Sequence, residues 1–358
     1  KHLCCIMRPL RQLGAVAKAR QVTRCLLVSW EGSSSMEAAW LSLKKAGVEV
    51  EALTVMNGSP TPSAVDSTAA AAQQFRADGI IGLGNGGVLD LAKGAAAVVG
   101  ARTYEQASFS AHDVLLGVRR GRTLSPNSTL PTILVPMQAT VAAMSGRTLL
   151  QDFDADGTLL PLMVKGPGPF GVGQGLQAKE VVADPSFTST QSTRGTAAAA
   201  AHALSCFADS VVAAAGTIKA RMLWEDMSEG VTSAAAAIKD PEHAKVDALM
   251  ASLAAGVSAS DADANARGSL CIVHSLSCIA AGTWFGVVFP VVAAALLPPT
   301  LRELHNHASE DALCGLNALA AHVTGLKDAT SADMATYVEE RVDHAGVVRP
   351  SPPVGVPV

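Results

Sequence analysis

The sequence predicts an α/β domain built on a parallel sheet, followed by an all-helical domain. Three observations lead there. Strand-like apolar runs alternate with helix-spaced segments from Arg24 onward, a glycine-rich stretch at 82–94 joins one such run to the next helical segment, and beyond Ser186 the chain is alanine-rich and helix-spaced. The composition shift near residue 186 places the boundary between an α/β, Rossmann-like domain, 1–185, and a helical domain, 186–358.

The elements follow in order. Cys25 to Ser29 is a buried-type strand, Glu31-Gly32-Ser33 a turn, and Ser33-Ser34-Ser35 the cap of a helix that runs from Ser35 to Ala46 and stops at Gly47. Val48 to Val55 is the next strand, Asn57-Gly58-Ser59-Pro60 turns the chain, and Pro62 to Ala77 has helical spacing. Asp78-Gly79 leads into the short strand Ile80 to Leu83. Strands separated by single helices pair in parallel, which is the basis of the α/β assignment. Leu130 to Pro136 is a further buried strand, Asp152 to Gly157 a hairpin tip, and the Gly/Pro-rich segment 166–175 a loop. Val181 to Pro185 closes this half.

Between strand and helix stand Gly84, Asn85, Gly86 and Gly87, within GLGNGGVLDLAKG. Glycines there let backbone amides approach a phosphate, and the positive end of the following helix favours an anion. The same pattern also makes a tight turn that binds nothing. Asp90 and Lys93 extend the motif, and they read either as cofactor groups or as an exposed i, i+3 pair on the helix surface.

Composition narrows the classes. The chain is 49% hydrophobic and 16% charged with a mean hydropathy of +0.29, and much of the excess is alanine, which suits close-packed helices. A net charge of -4 without a basic cluster excludes nucleic acid, whose binding requires grouped Lys and Arg. Seven cysteines show no CxxC pair, and residues 1–10 lack a signal peptide's apolar region, so reduced thiols in an intracellular, cytoplasmic compartment are expected. Gly268 to Leu301 carries no Asp, Glu, Lys or Arg and must be a membrane span or a core. Its imidazole, His274, and the breakers Gly282, Gly286, Pro290 and Pro298-Pro299 favour a core of two short helical pieces, with no membrane span.

This order of motifs resembles the iron-dependent alcohol dehydrogenase superfamily, especially its maleylacetate reductase branch, over nearly the whole chain. Gly84 to Lys93 resembles the GGGSxxDxxK cofactor loop, Val181 to Pro185 the strand ending in Asp-Pro, and His202 and His274 the metal-binding half. The resemblance implies a dehydroquinate synthase-like or iron alcohol dehydrogenase-like fold, a nucleotide domain, a helical domain, an active cleft between them, and a homodimer by analogy. It also implies a divalent metal held by an Asp and three His, and that set is broken here. The family's Asp-x-x-x-His is Ala198-x-x-x-His202, the third His falls at Val288 or Phe289, and a further His often present is Cys278. Two imidazoles without a carboxylate or a third nitrogen fall short of the three protein ligands that Fe or Zn wants, so no metal is expected. Cys278 reads as a replacement ligand or as an inert buried thiol.

The nucleotide half departs too. PTTxGTGSE becomes Pro136-Met137-Gln138-Ala139-Thr140-Val141-Ala142-Ala143-Met144, and the acidic residue after the first strand is replaced near Ser29-Trp30-Glu31, where Glu31 substitutes if the register slips by one. The expected cleft is then lined by Met137, Met144, Ala198, Trp284, Phe285 and Phe289, and suits a small apolar molecule. His202, His274 and Cys278 are its candidate catalytic groups, against the alternative that both imidazoles are idle core residues. The leading expectation is a non-redox cyclase or isomerase, such as one catalysing a pericyclic cycloaddition, needing no cofactor and keeping NAD(P) binding only as a vestige. The alternatives are a metal-independent, NAD(P)-dependent oxidoreductase of the maleylacetate reductase type and a non-catalytic pseudoenzyme.

Overall fold

The computed structural model describes residues 7–33, 35–56, 58, 60–104, 107–119, 129–153, 159–165, 176–217, 219–265, 276–277 and 289–347. The chain divides into two compact units, one of 1–156 with 162–188 and one of 157–161 with 189–358.

The first unit opens with a single 3-10 turn, Leu10–Gln12, and helix α1, Leu13–Ala19. Then come β1 Arg24–Trp30, α2 Met36–Lys45, β2 Glu49–Val55, α3 Pro62–Phe75, β3 Gly79–Gly84, α4 Gly86–Tyr104, α5 Ala111–Arg119 and β4 Thr132–Pro136. β5 Arg147–Phe153 and β6 Leu159–Lys165 form a two-stranded sheet of their own, in keeping with the hairpin predicted around Asp152. β7, Glu180–Val181, completes a five-stranded sheet in the order β2-β1-β3-β4-β7. Every pairing in that sheet is parallel.

β1, β3 and β4 are buried on both faces, as a parallel sheet wrapped by helices requires. Alternation sorts the faces. Cys25, Leu27, Ile81, Leu83, Ile133 and Val135 point into one core with Leu13, Val16, Ala39 and Leu43 of α1 and α2. The opposite face takes α3 and α4, and Gly82 lets α4 come close: a Cβ there would stand 2.9 Å from Ala92 Cβ and 3.1 Å from Leu134 Cδ2. The chain order reverses between β1 and β3. In sheets of this order ligands bind at that reversal, beyond the carboxyl ends of the strands.

The second unit is helical, with α6 Thr193–Ala214, α7 Lys219–Lys239, α8 Lys245–Asn265, α9 Phe289–His307, α10 Glu310–Thr324 and α11 Ser331–His344. The Ser192 hydroxyl caps α6 by accepting the Gly195 N–H at 3.1 Å. Among the described residues α6 is the hub against which the five other helices named here pack, and the run Ala197 to Ala201 keeps its surface small enough for them. Gly230 of α7 allows the tightest approach, since a Cβ there would lie 2.4 Å from Ala254 Cβ. Among the described residues α6 alone is long and apolar enough to cross a membrane, and 89% of its most apolar window is buried within the protein, as suits a core helix.

The uncharged run 268–301 lies largely outside the described residues, but its last part corrects one expectation. Pro298 and Pro299 do not end a helix: α9 runs through both to His307. Pro290, by contrast, occupies the first turn, where a missing N–H costs nothing.

Candidate functional site

The glycine motif lies at the reversal of the sheet. Gly84 ends β3, Asn85 is the connection, and Gly86 and Gly87 open α4. The Asn85 carboxamide accepts the Val88 N–H at 3.3 Å, which squares off the helix start. Each glycine also answers to an atom of the chain itself. A Cβ at Gly84 would meet the Trp30 ring at 2.9 Å, one at Gly86 the Thr140 hydroxyl at 3.1 Å, and one at Gly87 the Gly58 carbonyl oxygen at 1.9 Å. The first turn of α4 is therefore ringed by the carboxyl end of β1, the β2–α3 connection and the segment after β4.

Trp30 stands at the end of β1, followed by the exposed Glu31, whose N–H is bonded to the Val55 carbonyl at 3.2 Å. Ser29, buried beneath them, donates to the Leu83 carbonyl at 3.0 Å and is spent on the sheet. The Ser33 hydroxyl lies 3.5 Å from the Met137 sulfur, while Ser35 makes no side-chain cap bond to α2. Met137 itself packs against the α1–α2 core and donates its N–H to the Gly84 carbonyl at 2.9 Å. Met144, half-buried, ends a 3-10 turn, Val141–Ala143, that the Thr140 hydroxyl caps.

Asp90 and Lys93 are neither exposed nor turned outward. Lys93 is 1% exposed and Asp90 8% exposed, and the ammonium lies 2.8 Å from the Asp90 carboxylate. The same nitrogen donates to the carbonyls of Ala142 at 3.0 Å and Ser145 at 3.3 Å, and to that of Arg147. Asp90 accepts the Leu149 N–H at 3.2 Å on its second oxygen, and its own carbonyl accepts the Thr148 hydroxyl at 3.0 Å. Burial pushes the Asp90 carboxyl above its ordinary range, and the Lys93 ammonium pulls the other way.

In the helical unit Ala198 and His202 are one turn apart on α6 and both are buried. The His202 ring meets the Phe289 ring edge-on, with centroids 4.9 Å apart and planes at 64°. The residue at a position where the resemblance puts a ligand thus touches His202, but it is a phenyl ring. His274, Cys278, Trp284 and Phe285 lie outside the described residues. Sequence reasoning passed over Asp209, a buried carboxylate seven positions beyond His202 on the same helix. Two turns of helix separate them by about 10 Å, too far for one coordination sphere.

These donors do not fit a divalent ion. Among the described residues no group of three His, Cys, Asp or Glu could hold a metal, and the described ligand positions offer one imidazole between a methyl and a phenyl ring. A nucleotide phosphate fits better, because the start of the 19-residue helix α4 lies at the reversal and carries glycines. Sequence reasoning also missed Trp30 and Thr140 as neighbours of that start. Thr140 was visible as a hydroxyl surviving in its segment, whereas Trp30 carried no signal before the strands were paired.

A doubly wound parallel sheet with a glycine-opened helix at its reversal, in a chain that continues as a helical bundle, defines a nucleotide-fold architecture. Residues 6–157 match the family described as iron-containing alcohol dehydrogenase. Over that stretch the chain is similar to that family. No curated protein sequence matches it. Among solved structures it is similar to an archaeal halo-thermophilic Red Sea brine pool alcohol dehydrogenase, with a TM-score of 0.78, 16% identity, and coverage of 97% of this chain and 85% of that one. It is similar to the NADH-dependent butanol dehydrogenase A of Thermotoga maritima, with a TM-score of 0.71, 17% identity, and coverage of 96% and 83%. A third is the sulfoacetaldehyde reductase of Bifidobacterium kashiwanohense in complex with NAD+, with a TM-score of 0.70, 16% identity, and coverage of 94% and 82%. At such identities the likeness is one of fold.

Proposed function

We propose that this chain is an NAD(P)-dependent oxidoreductase acting on a small neutral alcohol or carbonyl compound without a metal ion, and that it works as a homodimer. The observation that carries the reading is the glycine-opened start of α4 at the reversal of the sheet. Gly86 and Gly87, with the dipole of α4 behind them, are the groups to hold a diphosphate, and the exposed Glu31 is the group to take a ribose hydroxyl. A bound nicotinamide supplies the two-electron exchange with the substrate carbon. His202 is the candidate acid and base for the substrate oxygen, because an imidazole gives and takes a proton near neutral pH. The hydrocarbon beside it, Ala198 and Phe289, favours a substrate without charge. The maleylacetate reductase branch is the finer form of this reading.

A second reading is favoured by that same hydrocarbon setting. Where metal ligands would stand there is a methyl and a phenyl ring, and a shaped apolar pocket with one imidazole is what a non-redox cyclase or isomerase requires. Titration with NADH and with NADPH, followed by energy transfer from protein tryptophan to the reduced nicotinamide, separates the two. The oxidoreductase reading expects saturable binding of one of them, followed by loss of its absorbance when carbonyl compounds are added. In that case His202→Gln lowers kcat by about 10²- to 10⁴-fold at an unchanged melting temperature. No binding of either nucleotide overturns the reading in favour of the cyclase or isomerase.

A further inference from the structure

Asp90 and Lys93 belong to the stretch that resembles a cofactor loop, yet their side chains are turned to the protein. From one turn of α4 they hold five points of residues 142–149, the end of the connection after β4 and the start of β5. Three are carbonyls taken by the Lys93 ammonium, of Ala142, Ser145 and Arg147. The others are the Leu149 N–H, taken by the Asp90 carboxylate, and the Thr148 hydroxyl, taken by the Asp90 carbonyl. At its other end the same segment is tied by the Met137 N–H to the Gly84 carbonyl. Between these anchors lies Thr140, whose hydroxyl sits against Gly86 at the first turn of α4.

We infer that Asp90 and Lys93 are positioning residues, which shape the phosphate site by clamping residues 137–149 over the start of α4 and do not contact the nucleotide. The inference rests on the nucleotide reading given above. An ammonium spends its three protons on three acceptors, and four protein oxygens already surround this one. Burial to 1% exposure leaves it no open face toward a ligand.

The two roles predict opposite signs for Asp90→Asn. If Lys93 met the phosphates directly, removing the neighbouring carboxylate would free the ammonium, take away a negative charge and tighten nucleotide binding. As a positioning pair, Asp90→Asn loosens the clamp and raises the Kd for the nucleotide by about tenfold, the scale of one lost charge-assisted hydrogen bond. Lys93→Met weakens binding similarly, and the double variant Asp90→Asn/Lys93→Met is no worse than either single one, because a clamp breaks once. Amide hydrogen exchange on each variant without nucleotide gives a second reading, with faster exchange confined to 137–149. Tighter binding by Asp90→Asn, additive losses, or unchanged exchange in 137–149 would overturn the inference. Should the wild-type chain bind neither NADH nor NADPH, the functional reading fails while the exchange experiment still decides whether the clamp exists.

Discussion

Asp184 ties the 3-10 turn Leu10–Gln12 to the far edge of the sheet. Its carboxylate accepts the Leu10 N–H at 2.7 Å, and the Ser186 N–H and hydroxyl at 3.0 and 2.7 Å. Burial opposes its ionisation, but these donors outweigh burial and hold the carboxyl below its usual range. A carboxylate with a lowered folded-state pKa stabilises above its unfolded value, near 4, and that contribution is lost as the pH falls through the folded value. Asp184→Asn should therefore cost about 1 kcal/mol at neutral pH, and the gap to wild type should shrink as the pH falls below about 4. Chemical denaturation across that pH range checks this. At this scale the sequence was readable where partners are near and silent where they are far. Lys93 looked like a surface or cofactor group because its carbonyl partners lie 49 to 54 positions away. Gly87 looked like a ligand glycine, and its closest neighbour is the Gly58 carbonyl from another connection.

Helix α9 shows the same limit for an element. Two consecutive prolines read as a stop, because each removes an N–H and crowds the carbonyl four residues back. The helix nevertheless continues, with Val292, Ala293, Ala294, Leu297 and Leu301 buried along one side. The Thr300 hydroxyl adds a bond to the Leu296 carbonyl at 2.8 Å within the turn that the prolines weaken. Packing of that apolar side outweighs a local preference of about 3 kcal/mol per proline. Pro299 is exposed while Pro298 is buried, so Pro299→Ala restores a backbone N–H without opening the core. It is expected to stabilise the chain by about 2 kcal/mol, less than the full helix preference because proline also restricts the unfolded state. A rise in the urea midpoint at unchanged slope would confirm it, and a fall would show that the bend itself is required. The strands posed no such problem: β1, β3 and β4 are short apolar runs bounded by turn residues, and their buried positions on both faces follow from that pattern.

For the molecule as a whole, the donors around His202 make a prediction that needs no substrate. A protein whose fold depends on a bound ion loses stability when a chelator removes it. With Ala198 and Phe289 beside His202, prolonged dialysis against EDTA is expected to leave the melting temperature unchanged, and elemental analysis to find Fe or Zn well below one per chain. Stoichiometric metal with a lowered melting temperature after EDTA would require His274 and Cys278 as ligands and would return metal-assisted chemistry to the protein.

The sequence by itself determined the fold class, the parallel sheet, the glycine turn before α4 and the absence of a donor at Ala198, because each is written in local periodicity or in the identity of one residue. Tertiary structure alone decided that Asp90 and Lys93 are buried against 142–149, that Trp30, Gly58 and Thr140 surround the start of α4, and that Phe289 meets His202. Those facts depend on residues distant in sequence, paired by the order of the strands and the packing of the helices. No local pattern carries that information.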